Sequence, residues 1–319
     1  MEPRLAPVNG LLSLVTTGDV NPAVLAQAGY RVAGLEVPAA MQARKVVIDV
    51  LLFHEATNHL VMCEAKAGAN IEEEQARTYR DLPPAAAVQA GYVTVKSRTQ
   101  PTSETLYVCL AKHAERIRRG LKTAGVTFAV LAVGERRIEL LDSAYATKAI
   151  AVPLAGGVSL AGPPPRIIPF DHESPVEIIE RFVRAEMIAM LARRKEHVTI
   201  TGLTESVARH YGLYAHKAQQ ALRVKVASAV DRIASAAPDR FAHDRKTGSR
   251  PEGLVRFLKT PEDLDPRGRT QAYQALGRPS RPQRPRPATD PNQLDLLQEL
   301  NIGDNDEEDP VVPGEEGEA

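Results

Sequence analysis

Val46-Val47-Ile48-Asp49-Val50-Leu51-Leu52-Phe53 is followed, after the polar His54-Glu55-Ala56-Thr57-Asn58-His59, by Leu60-Val61-Met62-Cys63-Glu64-Ala65-Lys66. Both outer runs are apolar and partly β-branched, and the polar spacer reads as a turn, so the stretch predicts a β-hairpin. A symmetric connection pairs residues whose numbers sum to 113: Phe53 meets Leu60, and Asp49 lies opposite Glu64. Directly opposed side chains sit about 5 Å apart on one face. Alternation puts Leu60, Met62, Glu64 and Lys66 on one side, so the Glu and the Lys share the face of Asp49.

Two opposed carboxylates repel, and keeping both ionised in a half-buried sheet is costly unless a cation lies between them. Mg²⁺ suits the place, because it takes oxygen ligands, retains several waters and needs only one or two protein carboxylates beside a substrate phosphate. Asp49 and Glu64 supply those carboxylates, with the backbone carbonyl of Ala65 as a further candidate ligand; Mn²⁺ is the alternative ion. A metal so held activates water for phosphodiester hydrolysis, with Lys66 orienting that water or offsetting charge on the phosphate.

Downstream, Asn70 with Glu73 predicts a helix cap, and Ile71, Gln75, Tyr79 and Leu82 recur at helical spacing. Gln75 is therefore expected on the inward face, where a buried amide needs partners and can reach the metal site. Glu72, Glu73, Glu74, Arg77 and Arg80 read as a solvated face.

Asp49, a fourteen-residue spacer, Glu64-Ala65-Lys66 and Gln75 resemble the core of the PD-(D/E)XK nuclease superfamily. The resemblance covers roughly the first half of the chain. It implies a central mixed sheet flanked by helices (an α/β, restriction-endonuclease-like fold), divalent-metal dependence, and DNA or less often RNA as substrate. Members often add an upstream acidic residue, for which Glu36 is the candidate. Its neighbours Val32 to Val37 look like strand rather than helix.

Thr105 to Leu110, Val126 to Val133 and Arg137 to Leu141 read as further strands, with a helix from Lys112 to Ala124 between the first two. This order completes an α/β domain over residues 1–155. Lys112, Arg116, Arg118, Arg119 and Lys122 make the helix basic, either as solvated charge or for phosphate contact. Breakers across 156–173 mark a linker. Ser174-Pro175-Val176-Glu177 then predicts a helix start with Ser as N-cap.

Over 174–260 the expected order is helix, short strand, helix, a long helix from about Ala215 to Ala236, and a two-stranded hairpin, which resembles a winged-helix domain. That resemblance implies that the long helix reads a DNA groove and the hairpin touches the backbone. His216, Lys217, Gln219, Gln220 and Arg223 on the helix, and Arg245, Lys246 and Arg250 at the hairpin tip, are the candidate DNA contacts.

Residues 261–319 lose periodicity: a Pro- and Arg-rich basic tether gives way to an acidic tail, and disorder is expected. Between them, Gln293-Leu294-Asp295-Leu296-Leu297 resembles the bacterial sliding-clamp binding peptide, through Gln293, Leu294, Leu296 and Leu297. A short amphipathic helix serving another partner is the alternative.

The 40 basic and 40 acidic residues cancel overall, which hides this asymmetry and does not exclude nucleic acid as a partner. No apolar run reaches about 18 residues, no signal peptide is evident, and Cys63 and Cys109 fall within apolar strands, so a cytoplasmic protein with free thiols is expected. The expected function is a Mg²⁺-dependent DNA endonuclease positioned by a winged helix, in defence against foreign DNA or in repair. The alternative is a non-catalytic DNA-binding or regulatory protein on a degenerate nuclease scaffold. A homodimer is expected if both strands are cut together.

Overall fold

The structure, a computed structural model, describes residues 3–18, 20–41, 44–96, 99–245, 252–258, 274 and 276–277. Lys246, Arg250, the Gln293–Leu297 motif and the acidic tail lie outside the described residues.

The chain opens with helix α1 (Ala6–Val15) and the short α2 (Val24–Gln27), followed by strands β1 (Tyr30–Met41), β2 (Arg44–His54) and β3 (His59–Lys66). Next come α3 (Glu73–Asp81), α4 (Pro84–Ala90), β4 (Thr102–Leu110), α5 (Ala114–Thr123), β5 (Ala129–Val133), β6 (Arg137–Leu141), α6 (Lys148–Ala151) and β7 (Val158–Ser159). The seven strands form one sheet in sequence order, mixed because β3, β4 and β5 run parallel and the other pairs antiparallel. Both faces are covered, as parallel central strands require.

From Val50 to Phe53 in β2, and along β3, alternation assigns the apolar residues to one of two cores, whereas Val46 and Ile48 lie on the same side as Leu51 and Phe53, so β2 changes face at Asp49. Val50, Leu52, Val61 and Cys63 pack with α1 and α2 on one face. Leu51, Phe53, Leu60 and Met62 pack with α3, α4 and α5 on the other. The register joins Phe53 to Leu60 and Val50 to Cys63, so the pairs sum to 113. Cys63 and Cys109 are buried and free.

The chain then forms α7 (Val176–Ala192), β8 (His197–Thr199), α8 (Ile200–Val207), α9 (His216–Ala236), β9 (Phe241–Asp244) and β10 (Leu254–Phe257). β10 lies between β8 and β9 in a small antiparallel sheet. A third core joins α7, α8 and α9 through residues such as Ile179, Leu203, Leu222 and Val230. Among the described residues, no helix is long and apolar enough to cross a membrane.

Two predicted helix caps differ from the structure. α3 begins at Glu73 with Glu72 at the N-cap position and no side-chain cap, so Asn70 is not the cap. Pro175 holds the N-cap position of α7, also without a side-chain bond. The Ser174 hydroxyl instead faces Asp171, accepting from its amide at 3.0 Å. In both places a local hydrogen bond inferred from spacing yields to the path the chain takes into the preceding loop.

The segment 156–173 packs closely. Ile168 joins the first core and Phe170 the third. Asn9, fully buried on α1, donates from Nδ2 to the Leu5 and Ile168 carbonyls, both at 2.9 Å, and accepts the Ile168 amide at 2.7 Å. Replacing Asn9 by Ala leaves both backbone groups of Ile168 buried and unpaired, at an expected loss of about 2–4 kcal/mol. Urea unfolding measures it; a change below about 0.5 kcal/mol, the scatter of ordinary surface substitutions, would show that this bond set does not hold the segment.

Candidate functional site

β1 and β2 pair Leu35 with Val50 and Val37 with Ile48, which sets Glu36 opposite Asp49. One step beyond the Val50–Cys63 pair, Asp49 lies across from Glu64. Three carboxylates thus stand on three adjacent strands. Glu36 has φ +52°, left-handed for a residue with a Cβ, next to a bulge between Val32 and Gly34. Such backbone is strained and persists where its surroundings enforce it.

Glu36, Asp49, Glu64, Ala65 and Lys66 line one cavity of about 450 Å³. Glu64 is buried; one of its oxygens meets Lys66 Nζ at 2.7 Å and the other accepts from the Tyr79 hydroxyl at 2.7 Å. That hydroxyl also lies 2.8 Å from the Val47 carbonyl, so one proton serves two acceptors. Asp49 accepts the Ala65 amide through Oδ2 at 2.7 Å. Ala65 therefore presents its N–H to the site's carboxylate, a contact the sequence reading did not foresee.

Gln75, half-buried on α3, accepts from Lys66 Nζ at 2.9 Å. Its oxygen is directed to the lysine. Lys66 is held between Glu64 and Gln75, with Glu72 at 3.8 Å. Tyr79 is the residue that sequence reasoning noted only as part of an apolar helical face, four positions after Gln75.

The far wall comes from distant sequence. Arg4 pairs with Asp171, and with Glu173 at 2.9 Å, and all three line the cavity. His172 Nδ1 lies 3.1 Å from Glu36 Oε2. Asp171 folds this turn by accepting the amides of Glu173 and Ser174, each at 3.0 Å. A surplus of acid results, because Glu36, Asp49, Glu64, Glu72, Asp171 and Glu173 face only Arg4 and Lys66 among the lining cations.

Electrostatics follow from that surplus. Burial, then repulsion by Asp171, Glu173 and Asp49, pushes the Glu36 carboxyl from 4.5 up to about 8. Burial and the neighbouring Glu64 likewise raise Asp49, against the opposing pull of the Ala65 amide and Lys66. Burial and Glu64 push the Tyr79 hydroxyl well above the usual tyrosine range.

The donor set suits one hard cation. Asp49 keeps an oxygen without a protein partner among the described residues, and Glu36 adds a second carboxylate beside it. Among the described residues no three His, Cys, Asp or Glu side chains group closely enough to hold a metal ion by themselves. Mg²⁺ ordinarily takes one or two carboxylates and completes its shell with water and substrate.

The other candidate contacts are dispersed. Lys217 and Gln220 are exposed on α9. Arg223 is half-buried and donates to Thr201 Oγ1 at 3.4 Å. Arg245 is exposed but paired with Asp231 at 3.1 Å. Gln219 is not available: its amide donates to the Tyr214 carbonyl at 2.8 Å and the Tyr211 carbonyl at 3.2 Å, because the chain doubles back there before the helix. His54 and His59 do not line the cavity; His59 is bonded to the Tyr30 hydroxyl at 2.6 Å and faces Glu104 at 3.4 Å.

Residues 5–136 match a family model described as the MJECL32 domain. The match takes in Glu36, Asp49, Glu64, Lys66 and Gln75 and stops short of Asp171 and Glu173. No curated protein and no solved structure matches the chain.

A carboxyl group whose folded pKa is raised contributes stability below its unfolded pKa and loses it as pH rises through the folded value. Replacing Glu36 by Gln should therefore help the metal-free protein little near pH 5 and progressively more toward about pH 8. Thermal melts of the two proteins across that range test this. A melting difference independent of pH would show that Glu36 ionises freely.

Proposed function

We propose that the chain is a Mg²⁺- or Mn²⁺-dependent deoxyribonuclease of PD-(D/E)XK type. The observation that carries this reading is the row Glu36, Asp49, Glu64 across three adjacent strands, with Lys66 on the Glu64 carboxylate in the same cavity. Carboxylates so crowded and desolvated are better held with a cation than without one.

Asp49 and Glu36 would hold the ion, with Glu64 beside them. Bound there, a divalent ion lowers the pKa of a coordinated water and offsets charge on the phosphate. The chain's own residues do the positioning. Lys66 Nζ, fixed between Glu64 and Gln75, presents a donor to an anionic oxygen entering the cavity. Tyr79 fixes the rotamer of Glu64 from the opposite side. Asp49, fixed by the Ala65 amide on one oxygen, keeps its other oxygen for the ion. The Asp171–Ser174 turn contributes Asp171 and Glu173 to one wall of the cavity.

The second part of the reading is that residues 174–260 act as a winged helix that engages DNA. The order α7, β8, α8, α9, β9, β10 and the three-stranded antiparallel sheet support it, as do the exposed Lys217 and Gln220. Buried thiols at Cys63 and Cys109 fit a reducing compartment.

One observation favours a degenerate scaffold instead. Both oxygens of Glu64 already have protein partners, so that carboxylate is satisfied without a metal. The discriminating experiment is cleavage of supercoiled plasmid and of labelled single-stranded DNA with Mg²⁺ or Mn²⁺. Lys66→Ala and Asp49→Ala should each lower the rate at least ~100-fold, the scale expected for losing an electrostatic stabiliser. Circular dichroism must confirm that each variant remains folded. Absence of cutting by the intact chain with either metal, or equal rates in folded variants, rejects the nuclease reading.

A further inference from the structure

We propose that a groove beside the carboxylate cavity binds single-stranded DNA leading to it. Only the direction of the strand, toward the carboxylates, rests on the nuclease reading. The groove, of about 980 Å³, lies between β1, the end of α4 and the start of α9. Tyr214 lines both spaces. The irregular stretch of β1 serves both as well: Gly34 and Val37 face the groove, Leu35 and Glu36 the cavity. The two are therefore neighbours across the backbone contact in which the Ala215 amide donates to the Leu35 carbonyl at 3.0 Å.

Charge distinguishes them. The cavity carries six carboxylates, whereas the groove is lined by Lys217 and His216 and by no Asp or Glu. A polyanion approaching the cavity is repelled there and must be held from the side, and these first-turn residues of α9 supply that hold. The aligned peptide dipoles of the 21-residue helix add to it.

Base recognition is provided by Tyr92, which is 95% exposed on the groove's rim. An aromatic face in water beside a groove that carries a lysine and no acid is a combination that binds single strands by stacking, with little dependence on sequence. The floor is small: Gly34, Ala86, Ala90 and Gly91 let a sugar-phosphate chain approach closely. A duplex, whose bases are stacked and paired inside, offers Tyr92 no free face.

Fluorescence anisotropy of the intact chain with a labelled single strand and the matching duplex, in EDTA so that nothing is cut, tests the proposal. Tyr92→Ala, at an exposed position outside the winged helix, should weaken single-strand binding about 10-fold and leave duplex binding unchanged, and Lys217→Ala should weaken single-strand binding about 10-fold. Lys217→Ala should also reduce the salt-dependence slope by about 0.7, one phosphate contact on a single strand. No single-strand binding by the intact chain, wild-type single-strand affinity in both variants, or an equal loss on the duplex in Tyr92→Ala overturns the groove. Cleavage separates this from the nuclease reading. Loss of binding in these variants without cutting by the intact chain keeps the groove and removes the nuclease; undiminished binding with metal-dependent cutting does the reverse.

Discussion

Mutual repulsion of one buried and two half-buried carboxylates is the constraint on which the site depends. Glu36, Asp49 and Glu64 are brought together by strand register, with the bulge in β1 and the left-handed backbone of Glu36 beside it. Each neighbour answers that repulsion. Lys66 and Tyr79 bind Glu64, the Ala65 amide binds Asp49, and His172 approaches Glu36. Partial compensation leaves the Glu36 and Asp49 carboxyls raised above their ordinary values, by burial first and by neighbouring carboxylates second.

The surrounding fold makes that register rigid. β2 and β3 are buried on both faces, so a one-residue slip would move Phe53 and Met62 from the core under α3 to the core under α1 and carry Glu64 with them. The apolar alternation that stabilises the sheet is thus the same feature that aligns the acids. The Asn9–Ile168 bonds and the Arg4 ion pairs then fasten the segment leading to α7 against the cavity, so its wall includes residues on both sides of the expected 156–173 linker.

Local pattern made part of this arrangement legible. The hairpin register, the shared face of Asp49, Glu64 and Lys66, and a helix bringing Gln75 toward them all follow from periodicity over a few dozen residues. Long-range placements did not. Arg4 and Asp171 are separated by 167 positions, and no spacing rule links them. Tyr79 was read as apolar packing because its ring does pack; only its hydroxyl reaches Glu64. Both helix caps were misplaced for a related reason: Asn70 and Ser174 have capping chemistry, but the loops before α3 and α7 take paths that tertiary contacts decide. Gln219, polar and on a candidate reading helix, is consumed by the carbonyls of the preceding turn.

The most direct test of the central claim, that the aligned carboxylates are a divalent-cation site, is calorimetric titration of Mg²⁺ and Mn²⁺ into the intact chain and into Asp49→Asn. The account predicts saturable binding by the intact chain that is lost in a folded Asp49→Asn protein. Equal binding by both proteins, or none by the intact chain, would contradict it and leave the row of acids as a feature of the scaffold.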